Sequence, residues 1–205
     1  MPADGEEQRA VAARRAGSRL DRDADPEVLS LLKARPNVFF MLTLWAPRLA
    51  ASTERPAWLD DPRLKDTASA DQIREFGAPF AGRTAQSVAA ARDEWAHLQT
   101  NVRTLGKAGV KLILGTDVGG NTGGPLFGWT EHMELEYMVA AGMTPSEAIS
   151  AATRGSADAL RISELGTIAQ GKRADFLVLD ASPLDDITNT RKISKVFQRG
   201  SAVAR

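Results

Sequence analysis

KLILGTDVGGNTGG, residues 111–124, runs an apolar segment into a glycine-rich loop with one carboxylate, Asp117, at the junction. Such a run suits a strand buried on both faces, and strands of that kind belong to parallel sheets covered by helices. In α/β folds ligands collect beyond the carboxyl ends of the strands, so an acid at this junction stands where chemistry is done. It can ligate a hard or borderline metal, or take a proton from metal-bound water. It can equally satisfy the N–H groups of its own loop, and position alone leaves the two readings even.

Upstream, SVAAARDEWAHLQTNVRTLGKAG (87–109) repeats Val88, Ala91, Trp95, Leu98, Val102 and Leu105 at three- and four-residue spacing. That is one stripe of an amphipathic helix, with Gly109 suited to its carboxyl terminus. Further back, DPEVLSLLKARPNVFFMLTLW (25–45) opens with Asp25 as a cap and Pro26 at the first helical position. Val28, Leu29, Leu31 and Leu32 supply an apolar face. Pro36-Asn37 stops the helix, and Val38 to Leu44 reads as a second buried strand. Between Pro47 and Pro79 the signal weakens to a turn at 58–62 and a short helix from Ser69 to Phe76.

Downstream, a helix is expected from about Glu131 to Ala141. TPSE (144–147) is a capping box with Pro145 at the first helical position, opening a helix that reaches about Leu160. After Arg161 the texture changes. Gly166 and Gly171 bracket a short strand, another follows over Asp175–Leu179, and KISKVFQRGSAVA supplies one or two more. The organisation expected is a charged, Ala/Arg-rich and disordered tail over 1–24, an α/β part over 25–160 and a small β appendix over 161–205.

Composition narrows the functions available. Lys+Arg and Asp+Glu both number 26, so the formal net charge is zero. Nucleic acid and anionic membrane are unsuitable partners for such a surface, because both interactions rest on a basic excess. Cysteine is absent, which excludes disulfides and thiolate metal sites. No apolar run approaches the roughly 20 residues of a membrane helix, and the amino terminus lacks the apolar centre of a secretory signal. A soluble, cytoplasmic chain is the default expectation.

Two histidines are present. His132, in EHMELEYM, shares a helical face with Leu135 and Val139, which points it inward near a helix amino terminus. It could lie beside Asp117 or a bound substrate, or be a packed neutral imidazole. His97 falls on the side of its helix away from the apolar stripe and reads as exposed. The glycine loop could cradle a phosphate, but no G-x-G-x-x-G or P-loop pattern accompanies it.

The order of the motifs carries more than any one of them. GTDVGG, then HMEL, AAGMTPSEAISAAT, LGTIAQGKRADFLVLDASPLDDI and KISKVFQRG closely resembles the carboxyl-terminal half of the amidohydrolase superfamily, in its imidazolonepropionase-like and prolidase-like branch. The resemblance implies part of a (β/α)8 TIM barrel, its last strand–helix units, with a small C-terminal β-sandwich segment. By it, Leu112–Thr116 is the eighth barrel strand, Val38–Leu44 looks like the seventh, and Gly171–Asp175 is the turn into the sandwich. It also implies that Asp117 contacts a divalent metal, zinc above all, and accepts the proton of the attacking water. His132 becomes the histidine of the family's H-x-E-L segment, a candidate substrate contact.

The departures set the expected activity. The family's H-x-H pair, mid-barrel lysine and further histidines have no counterparts among this chain's residues. A whole barrel takes about 250 residues, and the α/β part here has room for a few of its units. The resemblance therefore implies a metal-dependent hydrolase of amide or cyclic amide C–N bonds, acting on a small-molecule or peptide-like substrate, but truncated and inactive alone. Such a chain binds no metal by itself, and needs a homo-oligomer or complementing chain to cover its open edges. The alternative is a non-catalytic remnant or interaction module with the same partial fold, with a phosphate- or nucleotide-binding domain a distant third.

Overall fold

The computed structural model describes residues 25–118 and 126–204. The expected tail over 1–24 and most of the glycine loop lie outside the described residues.

Helix α1 (Pro26–Lys33) starts as its sequence dictates, with the Asp25 carboxylate accepting the Glu27 N–H at 2.8 Å and proline in the first turn. Leu29 and Leu32 pack on the core, whereas Leu31 is exposed, so the apolar face is narrower than its leucines suggest. Strand β1 (Phe39–Leu42) follows, then a short helix α2 (Trp45–Ala50). The weak stretch resolves into two 3-10 turns, Ala57–Asp60 and Pro62–Asp66, hinged at Asp61, and helix α3 (Ala70–Gly77). Ser69 and Gln72 form a reciprocal capping box there.

Helix α4 (Ala85–Lys107) buries Val88, Ala91, Val102 and Leu105 from the expected stripe, and Trp95 and Leu98 pack at its margin. Strand β2 (Lys111–Leu114) then lies parallel to β1, with Phe40 opposite Leu112 and Leu42 opposite Leu114. Both strands are shorter than the apolar runs that announced them. The chain turns away once the ladder ends, where the Gly115 N–H donates to the Leu42 carbonyl at 2.9 Å.

Helix α5 (Trp129–Ala140) and the capped helix α6 (Pro145–Ser150) complete the cover. The helical path continues beyond α6 through a π turn, Ala151–Gly155, into α7 (Ser156–Ala159). Gly155 sits at the wide turn because a Cβ there would stand 3.3 Å from the Ile113 side chain.

Two apolar clusters hold these elements. One joins Phe40, Leu42 and Leu44 to Val102, Leu105, Met138 and Ala148, sealing the sheet under α4, α5 and α6. The other gathers Trp45, Leu49, Leu59, Leu64, Phe80, Trp129 and Met133 around the irregular segment. Met41, on the opposite face of β1 from Phe40 and Leu42, is 55% exposed.

The appendix is one antiparallel sheet, ordered β3 (Phe176–Leu179), β4 (Ile193–Gln198), β5 (Ser201–Ala202). Stacked rings of Phe176 and Phe197 brace it, with centroids 4.6 Å apart. The strand expected between Gly166 and Gly171 is absent: that segment is turns, anchored by the Arg173 N–H donating to the Glu164 carbonyl. The architecture is thus mixed α/β with two open sheets. Neither closes into a barrel, and the appendix sheet has no second sheet against it among the described residues. Nor is any described helix long and apolar enough to cross a membrane.

Candidate active site

The carboxyl ends of β1 and β2 lie side by side, and three groups define what stands there. Asp117 is exposed, in the left-handed region at φ 52°. Asp tolerates that conformation better than most residues because its short polar side chain relieves the crowding. Its carboxylate accepts no hydrogen bond among the described residues. Most of the loop N–H groups that the loop-capping reading needs lie outside the described residues, so the two readings of this acid stay even. The group is open to solvent and to a ligand.

Its backbone is held from the neighbouring strand. Trp45, just past β1, donates its indole N–H to the Thr116 carbonyl, fixing the residue before Asp117. Gly115 brings the strands close at the same level. A Cβ on it would stand 2.3 Å from the Met41 side chain, so glycine is what lets Met41 lie across β2.

Beneath them is a carboxylate that sequence reasoning did not single out. Glu134, on α5, has no exposed surface. It accepts the Leu44 N–H at 2.7 and 2.9 Å and the Trp45 N–H at 2.9 Å. These groups open α2, which follows β1 directly, and would otherwise be orphaned donors. Burial pushes the Glu134 carboxyl up to about 8, against the opposing pull of the two backbone N–H groups. The available signal was the third residue of HMEL, an acid one position from Met133 and four from Met138 on a helix that buries both.

His132 lies one side of this buried face. The fully buried positions of α5 are Thr130, Met133, Glu134 and Met138, while His132, Leu135 and Val139 are half-buried, the last two packing against the first cluster. Nδ1 of His132 is 3.0 Å from the Thr190 hydroxyl, in the turn Ile187–Arg191 that leads into β4. The Thr190 hydroxyl itself donates to the Ile187 carbonyl at 2.9 Å, so it accepts from His132 Nδ1–H. Burial, followed by the charge of Arg191, lowers the His132 pKa. The ring is accordingly neutral near pH 7, with the lone pair on Nε2, which has no hydrogen-bond partner among the described residues. His97 is half-buried rather than exposed and has an interaction of its own.

Arg191 ties the appendix to α5. It pairs with Glu136 and lies over the Trp129 ring, 5.2 Å from its centroid.

A catalytic zinc typically keeps three protein ligands. Among the described residues no group of three or more His, Cys, Asp or Glu side chains could hold a metal ion. The described donors at the strand ends therefore do not by themselves fit the metal that the sequence resemblance implies: Asp117 has no fellow ligand among the described residues, Glu134 is consumed by backbone N–H groups and His132 Nδ1 by Thr190.

Residues 57–203 match the family model described as Amidohydrolase family. The chain belongs to the amidohydrolase family. Among curated relatives, an imidazolonepropionase from Nocardia farcinica is 33% identical over 139 residues, which is 64% of this chain and 30% of that protein. An ochratoxinase from Aspergillus niger is 39% identical over 100 residues, 47% of this chain and 18% of that protein. Among solved structures, a putative prolidase from Bifidobacterium longum superposes with a TM-score of 0.65 at 27% identity, covering 93% of this chain and 41% of that one. This amidohydrolase chain thus spans less than half the length of each of these relatives.

Proposed function

We propose that this amidohydrolase chain contributes the general base of a C–N bond hydrolysis, with Asp117 accepting a proton from the attacking water. The observation that carries the reading is the placement of Asp117: an exposed carboxylate at the carboxyl end of a parallel strand, without a hydrogen-bond partner among the described residues, on a backbone held by Trp45. The substrate class is an amide or cyclic amide in a small-molecule or peptide-like compound. The names of the relatives, an imidazolonepropionase, an ochratoxinase and a putative prolidase, support that class. His132 is the substrate contact that the H-x-E-L resemblance implies. Its Nε2 lone pair is suited to accept a substrate N–H. Electrophilic groups, including any metal ligands, come from outside the described residues, through a second copy of the chain.

A second reading has an observation of its own, the lack of a metal-ligand cluster among the described residues. It makes the chain a non-catalytic module of the same fold. One experiment separates the two. The purified chain is loaded with zinc, desalted, and assayed for retained metal and for hydrolysis of N-acyl amino acids and Xaa-Pro dipeptides, beside Asp117→Asn. Zinc-dependent turnover that falls by about 100-fold or more in the variant supports the base, the loss being the usual scale of general base catalysis. Turnover absent in the zinc-loaded chain, or equal in the variant, favours the non-catalytic module.

A further inference from the structure

At the opposite end of the sheet, beside the amino ends of β1 and β2, lies a cavity of about 500 Å³. It opens between the carboxyl-terminal part of α4, the first residues of the two strands and the path from Ser150 to Asp158. Its volume falls within the range of small-molecule sites, about 300–1,000 Å³. The floor is apolar, made by Val102, Leu112 and Ala151. The rim carries Arg103, Lys107, Lys111 and Arg154.

This concentration of positive charge is local, since the whole chain is neutral. None of the four cations is ion-paired among the described residues. Lys111 lies 5.1 Å from the Phe39 ring centroid, and Arg103 reaches a backbone carbonyl, Ala141, at 3.5 Å. Of the two acids on the rim, Glu147 is committed to its capping box, accepting from the Thr144 N–H at 2.7 Å and hydroxyl at 2.8 Å. That leaves Asp158 against four cations. Like charges held around one concavity repel, and an anion in their midst relieves the repulsion while gaining from all of them. The wall includes the π turn Ala151–Gly155, a form of helix often found where ligands bind.

We propose that this cavity binds a small organic anion, its phosphate or carboxylate held by Arg103, Lys107, Lys111 and Arg154 and its apolar body resting on Val102, Leu112 and Ala151. The site is independent of Asp117 and of any hydrolysis, and lies at the other end of the strands.

The test is thermal unfolding of the full chain with increasing phenyl phosphate or phenylacetate, and with inorganic phosphate and benzyl alcohol as the separate halves of the ligand. The expected result is a saturable rise in Tm with at least one of the two organic anions, at lower concentration than with either half. Whichever anion acts at the lower concentration names the head group. In the Lys107→Ala/Arg154→Ala chain, both positions being exposed, the unliganded Tm should hold or rise, and the half-saturating concentration should increase at least tenfold. The proposal is overturned by no saturable rise, by an unchanged response in the double variant, or by inorganic phosphate acting as well as the organic anions.

Discussion

Glu134 accepts hydrogen bonds from the backbone N–H of Leu44, ninety residues earlier in the chain, through both carboxylate oxygens. With the Trp45 N–H also on Oε2, one side chain of α5 closes the end of β1 and the start of α2. Trp45 then passes that order to β2 through the Thr116 carbonyl. The position of Asp117 thus depends on a carboxylate that has no contact with solvent.

Replacing Glu134 by alanine should leave two buried N–H groups without acceptors, each costing about 1–3 kcal/mol. Urea unfolding at pH 6 should show a loss within the range set by the two together, and hydrogen exchange at Leu44 and Trp45 should accelerate. A variant of unchanged stability would mean that water replaces the carboxylate at no cost.

The raised pKa of Glu134 gives a pH dependence of defined sign. Its native value is about 8 against 4.5 for the ordinary group, so the folded state holds the proton more tightly. Its contribution to stability is fully present below about pH 4.5 and is lost as pH rises through 8. Glu134→Gln keeps an oxygen acceptor without the titration. The stability of the native chain minus that of Glu134→Gln should therefore fall steadily between pH 5 and pH 8.5, and a flat difference would refute the assignment.

Trp45→Phe retains most of the ring packing against Phe76 and removes the donor to Thr116. A cost of about 1 kcal/mol is expected, with faster exchange confined to the segment around Thr116 and Asp117. By contrast, Asp117→Asn should leave Tm nearly unchanged, since the carboxylate is exposed with no partner among the described residues and Asn also tolerates φ 52°.

Arg191 and Glu136 join the appendix to α5 in a largely enclosed pair, with side-chain exposures of 13% and 22%. A double-mutant cycle with Arg191→Met and Glu136→Gln should give a coupling of about 1–3 kcal/mol, larger than an exposed pair provides. Coupling near zero would show that the appendix is held by His132, Thr190 and packing alone.

Gly166 has φ 84°, and a Cβ there would stand 2.7 Å from the Ala157 Cβ and 2.8 Å from the Arg154 Cα. Gly166→Ala should cost about 2–4 kcal/mol, from left-handed backbone strain and overpacking together. The control Gly171→Ala has φ 81° but open space, so it should cost only the backbone part, about 1–2 kcal/mol.

Much of the fold was legible in the residues. The stripe from Val88 to Leu105, the capping box at Thr144 and the cap at Asp25 are local signals, and each element formed where they stood. The family could be named because motif order survives when single positions drift. Less legible were the strand ends and the turns near Gly166. A run such as Val38–Leu44 reports burial, whereas pairing ends where the partner strand turns away, which the run does not encode.

The sequence by itself determined the helices, the parallel pairing of two buried strands and the acid at the end of the second, because periodicity, caps and composition act within a few residues. Tertiary structure decided what surrounds that acid. Glu134 reads as an ordinary helical glutamate until α5 packs against β1, and His132 as an inward histidine until Thr190 arrives from the appendix. The cluster of cations around the amino ends of the strands has no counterpart in a neutral composition. Each is a relation between segments far apart in sequence, set by packing once the chain is compact, and the local pattern carries no record of it.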